Sequence, residues 1–169
     1  IEDISRLVVG FVQGAPARIT QIVNSTIKEF LCCKKKINEI KPLIFDVLEL
    51  SWIKNNVHHT VDVIEQTIKA YLSVKRGKAD ISEISLLISD IISSLKDPTT
   101  FVPAIIDTTI NAYCTPPLGR ISDIELLISG IISSKPIKDD LDTISKIIIK
   151  AYVVCIEKEY DCVLLKNLG

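Results

Sequence analysis

The sequence predicts an all-α protein built from four tandem helical hairpins, about eight helices in all, closed into a bundle in preference to an open α-solenoid. Three observations lead there. One apolar pattern recurs four times at intervals near 40 residues, a second pattern ending in an aromatic residue follows each copy, and both have helical spacing. The units run 1–36, 37–80, 81–120 and 121–169, and together they make one domain over 1–169.

The first element of each unit, helix A, is clearest in Ile81-Ser82-Glu83-Ile84-Ser85-Leu86-Leu87-Ile88-Ser89-Asp90-Ile91-Ile92. It aligns without a gap on Ile121 to Ile132, and Ile37 to Leu48 and Ile1 to Val12 follow the same pattern. An acid stands two residues after the first Ile, and apolar residues follow at offsets of three, six, seven, ten and eleven. That is the stripe of an amphipathic helix. The consecutive runs Leu86-Leu87-Ile88 and Leu126-Leu127-Ile128 span roughly 200° of a helix, which predicts burial on two faces.

The second element, helix B, reads Thr26-Ile27-Lys28-Glu29-Phe30, Thr67-Ile68-Lys69-Ala70-Tyr71, Thr109-Ile110-Asn111-Ala112-Tyr113 and Ile148-Ile149-Lys150-Ala151-Tyr152. Aliphatic residues one and two turns upstream complete its apolar face. Asp80 with Glu83, and Ser122 with Glu125, read as capping boxes. Asp97-Pro98 reads as an N-cap followed by a proline at the first helical position. Lys34-Lys35-Lys36 and Lys75-Arg76-Gly77-Lys78 put cations at helix C-termini, where the backbone dipole favours them. Pro42 falls in the early turns of its helix, where it costs least, whereas Pro103 is expected to kink or delay its own. The closed bundle is preferred because an open stack needs polar outer faces at its ends, and the first unit opens with an apolar stripe.

Composition narrows the function. Charged residues are 24% of the chain and the net charge is −1, so no long-range field draws nucleic acid or an anionic membrane. Hydrophobic residues are 47%, with few aromatics and no Met, and the mean hydropathy is +0.34. This aliphatic surplus has to be hidden in the core, between subunits or around a ligand. No uncharged apolar run reaches the roughly 18–20 residues that span a bilayer, so no transmembrane segment is expected. A first residue other than Met fits a secreted protein relieved of its signal peptide. The sequon Asn24-Ser25-Thr26 marks Asn24 as a glycosylation candidate in that compartment.

Five cysteines are present: Cys32, Cys33, Cys114, Cys155 and Cys162. None has the C-x-x-C spacing of a zinc or redox site. Four of them closely follow the aromatic of a helix B, so they are expected at one pole, bridged within the chain or between chains. His58 and His59 are adjacent and read as a solvated helix start rather than a chelating pair. The recurring acids Asp3, Glu39, Glu83 and Asp123 read as partners of helix dipoles. Trp52 reads as a core anchor. No nucleophile elbow or phosphate loop occurs, and neither an enzyme nor a cofactor or metal is expected.

The expected function is a non-catalytic, secreted carrier that transports or sequesters an apolar ligand, such as a fatty acid or other lipid, between Ile-rich helices. Phe11, Phe45, Leu48, Leu87, Ile91, Ile128 and Ile131 are the expected walls, with Tyr71 and Tyr113 at the mouth. The alternative is an assembly protein that oligomerises through apolar helix faces and an interchain disulfide, as a homodimer or larger.

Overall fold

A computed structural model describes residues 2–33, 36–75, 80–95 and 98–113, together with separate helical positions between 126 and 157. Every regular element among the described residues is a helix, so the protein is all-α. The helices are α1 (Glu2–Gly14), α2 (Ile19–Cys32), α3 (Ile37–Leu48), α4 (Ser51–Lys54), α5 (Val57–Lys75), α6 (Ile81–Ser94) and α7 (Pro98–Tyr113), with a 3₁₀ turn at Pro16–Arg18. Helices α1, α3 and α6 fall on the first recurring pattern, and α2, α5 and α7 on the second.

The packing follows that division. Helix α3 touches α1 and α6, making an A layer in chain order, and α5 packs between α2 and α7 in a B layer. Each A helix also meets its own B helix. The fourth unit, on which closure into a ring depends, lies mostly outside the described residues.

Apolar spacing sets which side of each helix is inside. Helix α3 buries Ile37, Ile40, Leu43, Ile44, Val47 and Leu48, and α6 buries Ile81, Ile84, Leu87, Ile88, Ile91 and Ile92. Each such side chain contributes about 1.5–3 kcal/mol by leaving water. The run of three in α6 is not buried throughout: Leu87 and Ile88 are inside, but Leu86 is 57% exposed. Neighbours flank α6 on the α3 and α7 sides, and Leu86 points to the side that neither covers.

The B layer has its own device. Thr26, Thr67 and Thr109 occupy one repeat position, and each hydroxyl donates to the carbonyl four residues back, in Ile22, Val63 and Ile105, at 2.8, 2.7 and 2.6 Å. The hydroxyl is thereby satisfied inside its own helix, so Thr67 and Thr109 sit in the core without an orphaned polar group.

Helix α7 starts at Pro98, as the proline signal predicts, and runs on through Pro103 to Tyr113 without delay. Asp97 and the lysine-rich Lys34 and Lys35 lie outside the described residues. Helix α4, a single turn carrying Trp52, has no counterpart in the sequence expectation. Trp52 packs against the core and meets His59 edge to face, with ring centroids 5.1 Å apart.

Candidate functional site

The A layer is held by a repeated polar clasp. The fifth residue of one unit reaches the tenth residue of the next. Ser5 Oγ donates to the Asp46 carboxylate, and Lys41 Nζ pairs with Asp90 Oδ2 at 2.5 Å. Lys41 Nζ also stands 5.6 Å from the centre of the Phe45 ring, within cation–π range. The clasp shows which side of each A helix meets the preceding unit: the side that bears residue ten.

Residues four, seven and eleven of the unit share that side. In α3 they are Ile40, Leu43 and Val47, and in α6 Ile84, Leu87 and Ile91; none is more than 1% exposed. In α1 they are Ile4, Leu7 and Phe11, which are 44, 59 and 57% exposed. The tenth residue of α1 is Gly10, where α3 and α6 carry the clasp acids. A Cβ added at Gly10 or Gly14 would meet nothing within 4 Å. Phe11 continues into an open groove of about 380 Å³ shared with Ala15, Arg18 and Ile22. The uncovered edge of α1 is therefore an apolar surface with open space at Gly10 and Gly14, acids Glu2 and Asp3 at one end and Arg18 in the turn beyond the other.

The residues expected to wall one cavity are dispersed. Leu87 and Ile91 are fully buried in the core, Phe45 is half-buried under Lys41, and Phe11 lies on the α1 edge. Leu48 lines a separate cleft of about 180 Å³ with Lys54, Thr60, Leu95 and Phe101. Ile128 and Ile131, and the side chain of Tyr113, lie outside the described residues.

Tyr71 is inside rather than at a mouth. Its ring is buried, and its hydroxyl accepts from the Asp80 backbone N–H at 2.9 Å while donating to Glu83 Oε2 at 2.8 Å. Burial pushes the phenol well above its ordinary range, and Glu83 adds to the effect. The Asp80–Glu83 capping box thus takes a relayed form. Asp80 Oδ1 accepts from the Ser82 N–H at 2.9 Å, and the return link from Glu83 passes through the Tyr71 hydroxyl. The Ser82 bonds hold the Asp80 carboxyl below its ordinary value.

The remaining candidates are structural. Asn56 Oδ1 accepts from the backbone N–H groups of His58 and His59 at 3.0 and 3.3 Å, an N-cap for α5. Both imidazoles face Asp62, at 3.8 and 3.9 Å. No cluster of three metal-ligating side chains occurs among the described residues. Asn24 is half-buried within α2 and donates to Gln66 of α5 at 2.9 Å, so a glycan there would have to displace that bond. Cys32 and Cys33 are exposed, free thiols at the end of α2. Cys114, Cys155 and Cys162 lie outside the described residues. No described helix is long and apolar enough to cross a membrane.

The uncovered α1 edge carries a partial signal in the sequence, since its stripe is visible at residues four, seven and eleven. What orients that stripe is the clasp, whose trace in the sequence is the acids Asp46 and Asp90 at the tenth position. Compared with family models, with characterised proteins and with solved structures, the chain matches none.

Proposed function

We propose that this protein is a non-catalytic assembly protein that associates through apolar faces of its helices. The observation that carries the reading is the contrast along the A layer: one set of repeat positions is sealed in α3 and α6 and open to water in α1. Monomers rarely leave such a contiguous stripe uncovered, and large exposed apolar patches mark interaction sites. The reading places the protein outside the cell, where the exposed Cys32 and Cys33 thiols would be available for an interchain bridge.

Sedimentation velocity over about a 100-fold concentration range, with and without reductant, tests it. A mass that rises with concentration supports the reading, and a monomer throughout overturns it. Loss of the larger species on reduction would assign it to cysteine bridging.

A second reading, a carrier for an apolar ligand, is favoured by the cleft beside Leu48, Leu95 and Phe101, with Lys54 at its rim. At about 180 Å³ it is smaller than the roughly 300–1,000 Å³ of drug-sized sites, which suits a short acyl chain. Native mass spectrometry of protein from its natural source tests it. An adduct of small-molecule mass, lost on denaturation, supports the carrier, and bare protein opposes it.

A further inference from the structure

We infer that the cleft beside Leu48, Leu95 and Phe101 takes a short-chain primary amine, its alkyl tail on those three side chains and its ammonium among the oxygen acceptors of Glu49, Asn55, Thr60 and Ser94. This rests on the carrier reading and adds to it the head group of the ligand.

The cleft is a product of what the second unit adds to the repeat. Helix α4 has no counterpart in either recurring pattern, and insertions of this kind in repeat proteins gather on one face, often the binding face. Glu49 precedes that turn, Lys54 ends it and Asn55 follows it. The turn is fixed in place: Ile53 is fully buried, and the Thr60 hydroxyl of α5 donates to the Ile53 carbonyl at 3.2 Å. The opposite wall, Ser94, Leu95 and Phe101, comes from the end of α6 and the first turns of α7. A site built before its ligand arrives loses little freedom on binding.

The apolar walls set the tail. A volume of about 180 Å³ admits a short chain rather than a long one.

The hydrogens already in use set the head. The single hydroxyl hydrogen of Thr60 goes to Ile53, that of Ser94 goes to the Ile91 carbonyl at 2.7 Å, and Asn55 Nδ2 donates to the Ser51 carbonyl at 3.1 Å. What these groups have left to offer is mainly lone pairs. Lys54 Nζ, the one cation of the described lining, is paired with Glu49. An ammonium that takes the Glu49 carboxylate in its place finds further acceptors in Asn55 Oδ1, Thr60 Oγ1 and Ser94 Oγ. A carboxylate that takes Lys54 finds only the second amide hydrogen of Asn55 beyond it, among oxygens that repel it. Charge does not choose between the two heads, because Glu49 and Lys54 balance. The supply of acceptors does.

The test is isothermal titration calorimetry of the full chain at neutral pH with hexylammonium, hexanoate and hexanol, which share a tail and differ in the head. Hexylammonium is expected to bind at least about 10-fold more tightly than either other probe, because charge-assisted hydrogen bonds are the stronger kind. Glu49→Gln keeps the shape and removes the charge. It is expected to weaken hexylammonium about 10-fold and to leave hexanoate no weaker. Lys54→Gln removes the competing cation and is expected to tighten hexylammonium about threefold. Both side chains are partly exposed, and circular dichroism melts check that each variant folds.

Hexanoate or hexanol binding as tightly as hexylammonium overturns this inference and leaves the carrier reading standing. Hexylammonium binding that Glu49→Gln leaves unchanged, or that Lys54→Gln weakens, overturns it as well. No binding of any probe overturns this inference together with the carrier reading of the cleft.

Discussion

Replacing Tyr71 by Phe tests whether the α5–α6 junction is held by a hydroxyl or by ring packing alone. The ring stays, so the core keeps its volume and no cavity term enters. What goes is one hydrogen bond to a carboxylate, worth about 1.5–3 kcal/mol, and one from the Asp80 N–H, worth about 0.5–1.5 kcal/mol. Asp80 is exposed, so water can take over its N–H, and Phe is spared the desolvation of a hydroxyl. The expected net loss is about 2 kcal/mol. With a denaturant slope of about 2 kcal/mol/M, urea unfolding followed by circular dichroism should show the midpoint fall by about 1 M. A second signature follows from the raised phenol pKa. The folded state holds this proton more tightly than the unfolded one, so the stability it supplies is present below pH 10.0, the ordinary tyrosine value, and lost as pH rises above it. Tyr71→Phe should be less sensitive than wild type in that alkaline window, with the other tyrosines common to both. A midpoint shift below about 0.2 M, with identical alkaline profiles, would refute the relay.

Two further substitutions probe the same frame. Asp80→Ala should cost about 1 kcal/mol at neutral pH by removing the α6 cap. Its carboxyl is held below the ordinary 3.8, so this contribution is present above that value and disappears as pH falls through the folded-state pKa; equal losses at neutral and strongly acid pH would count against the cap. Leu87→Ala should cost about 2–5 kcal/mol by leaving a cavity, whereas Leu86→Ala, one residue away, should stay within about 0.5 kcal/mol. Comparable urea midpoints for the two variants would contradict the assigned orientation of α6.

The all-α class was legible because the apolar period is helical in both recurring patterns and the caps punctuate them. The direction of each stripe was legible too, but not what lies against it. Three consecutive apolar residues in α6 predict burial on two faces, yet Leu86 faces water, because a second covered face depends on neighbours that a local pattern does not name. Tyr71 lies inside rather than at the expected mouth for a related reason. An aromatic with a polar tip suits a cavity mouth, and only the fold reveals that residues nine and twelve positions later consume that tip. The cleft shared by Leu48 and Phe101 joins residues 53 apart, and no periodicity links them. The edge at Ile4, Leu7 and Phe11 is the reverse case. Its residues are visible in the first dozen positions, but their meaning emerges only once their sealed counterparts are known.

The placement of α5 between α2 and α7 has a consequence for how the molecule opens. Among the described helices contacts run mainly between neighbours, so a helix covered on one flank should open before one covered on two. Helix α1 has one uncovered flank and should lend its amide protons to solvent early. Helix α5, covered on both flanks and burying Ile64, Ile68 and Tyr71, should surrender its protons last among the described helices, at a free energy approaching that of global unfolding. Occupation of the α1 edge by a second chain would then slow exchange where it is fastest, so the assembled state would be recorded in the amides of α1 and scarcely at all in those of α5.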